Sequence, residues 1–271
     1  MSNASNRYSN TRLLQKYLQY YLRADNGKGH GIHSPFVYNL IIHVLRDKKK
    51  YPAYKKIEAV RNDLLKNNNT IEVQDMGAGS GVIKSSERSI MKVAASSLKP
   101  EKFAQLLYRI VQYYQPATII ELGTSFAITT SYLALGNRTA KVVTLEGAHA
   151  IANIARRTFI KTECSTVELV EGNFEDTLKG ILDKLQSVDL AFVDGNHKRM
   201  PTTKYFEALL EKAGADSIFI FDDIHWSKEM EAAWKQIQEH PQVTLTVDLF
   251  FIGLVFFTPS IKAKQHFMIR F

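Results

Sequence analysis

From about residue 100 the chain alternates short apolar runs with stretches of helical period, and this alternation restricts the fold more than any other feature. The runs at 117–122, 141–145, 167–170, 188–193 and 217–221 have strand length. Between them, near 101–114, up to Leu135, and near 149–162, 174–185, 203–213 and 227–239, apolar residues recur at helical spacing. Gly136-Asn137 stops the second of these helices. Strands separated by helices imply an α/β domain, a mostly parallel sheet covered on both faces. The last two runs, 243–247 and 249–258, have little between them, which predicts an antiparallel hairpin at the sheet edge.

The first third is of another kind. Leu13, Leu14, Tyr17, Leu18 and Tyr21 form an apolar stripe at helical period, and the glycines of 27–31 break it. Ser34-Pro35 reads as a cap and first residue of a helix continuing to Leu45, and a third helix spans about 52–65. Thirteen Lys and Arg face four Asp and Glu up to Thr70, so this segment carries more than the whole net charge of +8. A basic segment attracts nucleic acid, anionic lipid or acidic partners, or is simply a solvated helical face. The expected division is a basic helical extension over 1–70, a connecting or lid segment over 71–99, and the α/β domain over 100–271.

Composition removes several classes. With 14 Gly, 7 Pro and the lone Cys164, the chain is neither collagen-like nor stapled by disulfides, and a reducing compartment is expected. The first twelve residues are polar with no apolar core of a secretory signal. The longest apolar run, 249–257, is short of the ~20 residues that span a bilayer. The expectation is a soluble, cytoplasmic protein.

Ligands of open parallel sheets sit beyond the carboxyl ends of the strands. There the chain has Glu121-Leu122-Gly123-Thr124-Ser125, then Glu146, then Gly172-Asn173-Phe174, then Asp194-Gly195-Asn196-His197, then Asp222-Asp223-Ile224-His225. Acids accumulating at successive strand ends point to a site. A second glycine loop, Asp75-Met76-Gly77-Ala78-Gly79-Ser80-Gly81, competes with the one at Glu121. No clear apolar helix follows it, and no strand ending in an acid comes about 20 residues later, as a nucleotide-binding unit requires. We therefore read it as a surface or lid segment, or as a turn joining the two parts. His30 and His33 make an isolated H-x-x-H without further ligands, so no zinc site is expected.

These residues resemble the class I S-adenosylmethionine-dependent methyltransferases, and among them the catechol and caffeoyl-CoA O-methyltransferases, over roughly residues 91–257. The resemblance implies a doubly wound Rossmann-like sheet in the order 3-2-1-4-5-7-6, with the antiparallel hairpin at its end. In that family the first strand ends E-x-G-x, which assigns Glu121, Gly123, Thr124 and Ser125 to the cofactor. Glu146, 25 residues after Glu121, would hold the ribose hydroxyls, a task suited to a carboxylate because it accepts two hydrogen bonds without strain. Asn173 and Phe174 would border the adenine, and Asp194 would stand on the cofactor side of the reacting centre. Where the family often has a further glycine the chain has Phe126-Ala127-Ile128, and it lacks the G-x-G-x-x-G that NAD requires.

The family's metal ligands map onto Asp194, Asp222 and Asp223, a set of hard donors suited to Mg2+ or another divalent cation. The alternative for these acids is capping of the helices that follow. His197 stands where the family has a lysine base and can accept a proton near neutral pH, with Asp194 beside it in a catalytic role. His225 would bind metal, orient the acceptor, or be a hydrogen-bonded loop residue. The GHGIHSPF segment resembles the start of uncharacterised bacterial methyltransferase-like proteins and would cap the acceptor pocket. The expected activity is O-methylation of a small-molecule hydroxyl, metal-assisted. The alternatives are a nucleic-acid methyltransferase using the basic segment, although no N/D-P-P-Y motif is present, and a non-catalytic cofactor-binding protein. A small-molecule acceptor is the expected partner, with homodimerisation left open and neither membrane nor specific nucleic acid expected.

Overall fold

The computed structural model describes residues 7–29, 33–75 and 84–271; His30 and most of the second glycine loop lie outside them. The chain divides into two compact units, Met1–Ile42 with Leu185–Phe271, and His43–Lys184. The stretch read as one basic extension is thus shared between them.

Helices form in the first third where the sequence places them. Ser9 caps α1 (Asn10–Arg23) by accepting from the Arg12 N–H. Ser34 caps α2 (Pro35–Leu40) in the same way, with Pro35 at the position where its missing N–H costs nothing. The second helix does not continue as an α-helix to Leu45 but widens into a π-turn over Ile41–Leu45. The Val44 carbonyl at its end accepts from Arg109 Nε at 2.8 Å.

The unit His43–Lys184 begins with α3 (Pro52–Leu65), tied down where Glu58 accepts from Tyr132 Oη at 2.7 Å and pairs with Arg61. Next come β1 (Thr70–Asp75), β2 (Lys84–Ser89) and α4 (Ile90–Ser97). The strands β1 and β2 pair antiparallel with each other and with no other described strand. The second glycine loop, read from the sequence as a surface or lid segment or a joining turn, lies between these strands in sequence and, past Asp75, outside the described residues. Then follow α5 (Glu101–Tyr114), β3 (Thr118–Leu122), α6 (Ile128–Gly136), β4 (Lys141–Glu146), α7 (His149–Thr162), β5 (Glu168–Glu171) and α8 (Phe174–Leu182). The strands β3, β4 and β5 are parallel neighbours in that order. Ile119, Ile120, Leu122, Val143 and Leu145 are buried in β3 and β4, as strands with both faces covered require.

The other unit adds β6 (Val188–Val193), α9 (Arg199–Leu210), β7 (Ala213–Asp222), α10 (Lys228–Glu239), β8 (Leu245–Asp248), β9 (Ile252–Phe256) and β10 (Gln265–Met268). Within it the strands lie in the order β6-β7-β9-β8-β10, with β6 and β7 parallel and β9 antiparallel to both β7 and β8. Numbered as expected from the sequence, one unit holds 3-2-1 and the other 4-5-7-6. The parallel edge strand β10 is an addition. The inner face of α1 docks on this unit. Tyr17 meets Phe250 edge-on with ring centroids 5.0 Å apart, and Tyr20 donates to the Ile269 carbonyl. Among the described residues no helix is long and apolar enough to cross a membrane.

Close approach between α10 and the hairpin depends on Gly253. A Cβ built there would meet the Trp234 ring at 2.6 Å. Trp234 is itself buried, so its indole has nowhere to retreat. Gly253→Ala is expected to destabilise the protein by about 1–3 kcal/mol, the cost range of overpacking a well-filled core. Urea denaturation checks this, and the penalty should shrink when Trp234→Phe is added.

Candidate active site

The cofactor residues predicted in the middle unit gather at the carboxyl ends of β3, β4 and β5. The loop leaving β3 turns through three left-handed residues, Gly123 (φ 107°), Ser125 (φ 49°) and Ala127 (φ 62°). Ala127 occupies the place where the family often has glycine, so the backbone keeps its turn at a cost of roughly 1–2 kcal/mol. The loop folds over β4: the N–H groups of Gly123 and Thr124 both donate to the Leu145 carbonyl, at 3.0 and 3.1 Å.

Glu146 ends β4 under this loop. Its Oε2 accepts from the Ser125 N–H and its Oε1 from the Ala148 N–H, each at 2.9 Å. Burial raises its pKa above the ordinary glutamate value, while the backbone N–H groups of Ala148, Ser125 and Gly147 pull it back. Glu121 is placed differently from its expected contact with the cofactor. It is 0% exposed, and its Oε2 accepts from Thr144 Oγ1 at 2.6 Å and from Thr130. A side chain with no exposed surface braces the loop from below. Thr124 is likewise buried, against Thr144 Oγ1 at 2.6 Å. At the end of β5, Glu171 is held by His149 at 2.6 Å and by Arg156. The Gly172 N–H donates to the Glu146 carbonyl at 3.0 Å, and Asn173 caps α8 through its side chain. Phe174, the first residue of α8, is half-buried.

The acceptor-side candidates lie in the other unit. Asp194 directly follows β6, and its Oδ1 stands 3.7 Å from His197 Nε2, an ion-pair distance longer than a hydrogen bond. Asp222 ends β7 and is 2% exposed. At Asp223 the backbone turns left-handed (φ 54°), and its N–H donates to the Phe251 carbonyl at 2.7 Å. The metal set expected from the family does not assemble. Among the described residues no three His, Cys, Asp or Glu side chains stand together as a metal site.

His225 is neither a ligand nor a base. Both ring nitrogens are engaged, Nε2 with Asp248 Oδ2 at 2.8 Å and Nδ1 with Glu231 Oε1 at 3.1 Å, and the ring stacks on Phe250. Burial disfavours its charge, but the two carboxylates outweigh this and raise its pKa to about 9. Glu231 also accepts from Lys16 Nζ at 2.8 Å and from Tyr8 Oη at 2.7 Å. Despite burial, these donors lower its pKa to about 2. Sequence reasoning missed this cluster, because Tyr8 and Lys16 lie more than 200 positions from Glu231. The only local sign was a glutamate in the first turn of a helix.

A histidine with a raised folded pKa contributes stability that is complete below its unfolded value of ~6.5 and is lost as pH rises through the folded one. Stability to urea should fall by about 2 kcal/mol between pH 7 and 9.5. His225→Gln should flatten that decline, and equilibrium unfolding across the pH range checks it.

Residues 120–224 match the profile of a family described as a methyltransferase domain. No protein of curated function matches the chain by sequence. Among solved structures, an O-methyltransferase from Bacillus cereus bound to S-adenosylhomocysteine is similar at TM-score 0.55 and 20% identity, over 81% of this chain and 96% of that one. The O-methyltransferase TomG from Streptomyces achromogenes, solved with S-adenosylmethionine, is similar at TM-score 0.56 and 16% identity, over 82% and 95%. A putative caffeoyl-CoA O-methyltransferase from Staphylococcus aureus gives TM-score 0.54 and 16% identity, over 61% and 87%. Residues 120–224 are thus similar to a methyltransferase domain, and the chain shares the fold of O-methyltransferases solved with S-adenosylmethionine or S-adenosylhomocysteine.

Proposed function

We propose that the chain transfers the methyl group of S-adenosylmethionine to a hydroxyl oxygen of a small-molecule acceptor. The observation that carries this reading is the Glu146 carboxylate, fixed by the Ser125 and Ala148 N–H groups. A carboxylate has about four acceptor positions, so about two remain for the adjacent ribose hydroxyls. Gly123 leaves its side of the loop clear for the methionine portion, and Asn173 and Phe174 stand at the adenine end. When bound, the cofactor supplies a sulfonium-held methyl group for in-line displacement.

On the acceptor side, His197 Nε2 faces Asp194, so His197 Nδ1 is the atom that takes the hydroxyl proton. Asp194 then balances the imidazolium charge. A divalent cation carries no step, because Asp194, Asp222 and Asp223 do not gather as ligands. Asp223 shapes the turn after β7.

Calorimetry with S-adenosylhomocysteine tests the cofactor half. Glu146→Ala should weaken binding by about 1.5–3 kcal/mol, the worth of hydrogen bonds to a charged group. Unchanged affinity in that variant, with loss in Asp75→Ala, would move the site to the other glycine loop. Methyl transfer to a panel of catechol and phenol acceptors tests the cation. Turnover should survive EDTA, whereas loss restored by Mg2+ or Mn2+ would show that the three carboxylates converge in solution.

A further inference from the structure

Helix α1 is apolar on two faces. Leu13, Tyr17 and Tyr20 turn inward against Phe250 and Phe251. Leu14, Leu18, Tyr21 and Leu22 do not: they are 59%, 53%, 48% and 79% exposed. Their spacing of four, seven and eight residues from Leu14 aligns them as one outward stripe. This is no frayed end, for the helix is held to its unit by the Lys16–Glu231 pair, the Tyr20 bond to Ile269 and the bridge from Asp25 to Ile269.

The helix contains Arg12, Lys16 and Arg23 and no acid. Lys16 is spent on Glu231, while Arg12 and Arg23 are exposed, and Lys28 extends the basic character past the helix end. Arg270 lies over the Tyr21 ring, 4.6 Å from its centroid, and brings another cation to the edge of the stripe. A narrow ridge of this kind offers apolar area on the order of a few hundred Å2, short of the ~800 Å2 per partner of a stable protein interface. A lipid surface sets no such minimum. It takes a basic helix with a leucine face into the headgroup layer, with long arginine side chains reaching back to the phosphates.

We infer that the outer face of α1 docks on an anionic lipid surface. This departs from the expectation of no membrane partner, since a helix lying in the interface needs no spanning segment. Docking would bring the catalytic unit to acceptors that partition into the membrane surface.

Co-sedimentation of the full chain with vesicles tests this. Vesicles of phosphatidylcholine with phosphatidylglycerol should retain the protein at low salt, and pure phosphatidylcholine should retain at least tenfold less. Raising salt to shorten the screening length should release it. The combined Leu14→Ser, Leu18→Ser and Leu22→Ser variant should lose binding at least tenfold, with S-adenosylhomocysteine affinity unchanged as proof of folding. Leu22→Gln alone, at the most exposed position, should lose a measurable part without threatening the core. Absence of binding to the anionic vesicles, or equal binding by the triple variant, would overturn the proposal. So would a dimer in sedimentation that the triple variant abolishes, since the stripe would then belong to a second copy of the chain.

Discussion

Two backbone N–H groups meeting one carboxylate hold together the loops at the carboxyl ends of β3 and β4. Ser125 comes from the loop after β3 and Ala148 from the loop after β4, and Glu146 takes one on each oxygen. The strain in the first loop becomes tolerable through such bonds. Three left-handed residues within five positions would not persist without partners for their amides. Leu145 supplies one such partner through its carbonyl, and Glu146 another through its side chain. Glu121 and the threonines beneath complete the support without reaching the surface. The loop geometry is thus set by bonds to the sheet, and under the proposed function such a fixed loop suits the orientation of a reacting methyl group.

A second carboxylate plays a comparable part in the other unit. Glu231 collects a phenol, an ammonium and an imidazole, of which only the imidazole belongs to its own neighbourhood in sequence. The phenol and ammonium come from the segment around α1, so the basic character of the first third has a structural use as well as a surface one. Lys16 fixes the helix inward through charge while Tyr17 and Tyr20 fix it through aromatic contact with Phe250. The same His225 that bonds Glu231 stacks on Phe250, joining the charged and aromatic contacts into one cluster.

The sheet was legible because strands with both faces covered are continuous apolar runs, and each strand end carried an acid. The position of Glu146 at the end of β4 was legible for the same reason. The short edge strand β10 was not. Its four residues, Gln265–Met268, alternate in burial and form no apolar run. The π-turn after α2 was hidden because Ile41–Leu45 has the same apolar content as a continuing α-helix. The aspartates were legible as acids at strand ends but not as a ligand set: among the described residues no three His, Cys, Asp or Glu side chains stand together as a metal site. His225 looked chemical for its position after the aspartates, and only its two carboxylate partners, one of them distant in sequence, show it to be structural.

The contact between Tyr20 and Ile269 has a consequence for biosynthesis. The helix bearing Tyr20 is made early, and Ile269 follows 249 residues later. At about 5–20 residues per second, roughly 10–50 s separate them on the ribosome. Throughout that interval both apolar faces of α1 are uncovered, the leucines outward and the tyrosines inward. The middle unit, by contrast, is one continuous stretch of the chain. Helix α1 is therefore made well before the residue whose carbonyl accepts its Tyr20 hydroxyl.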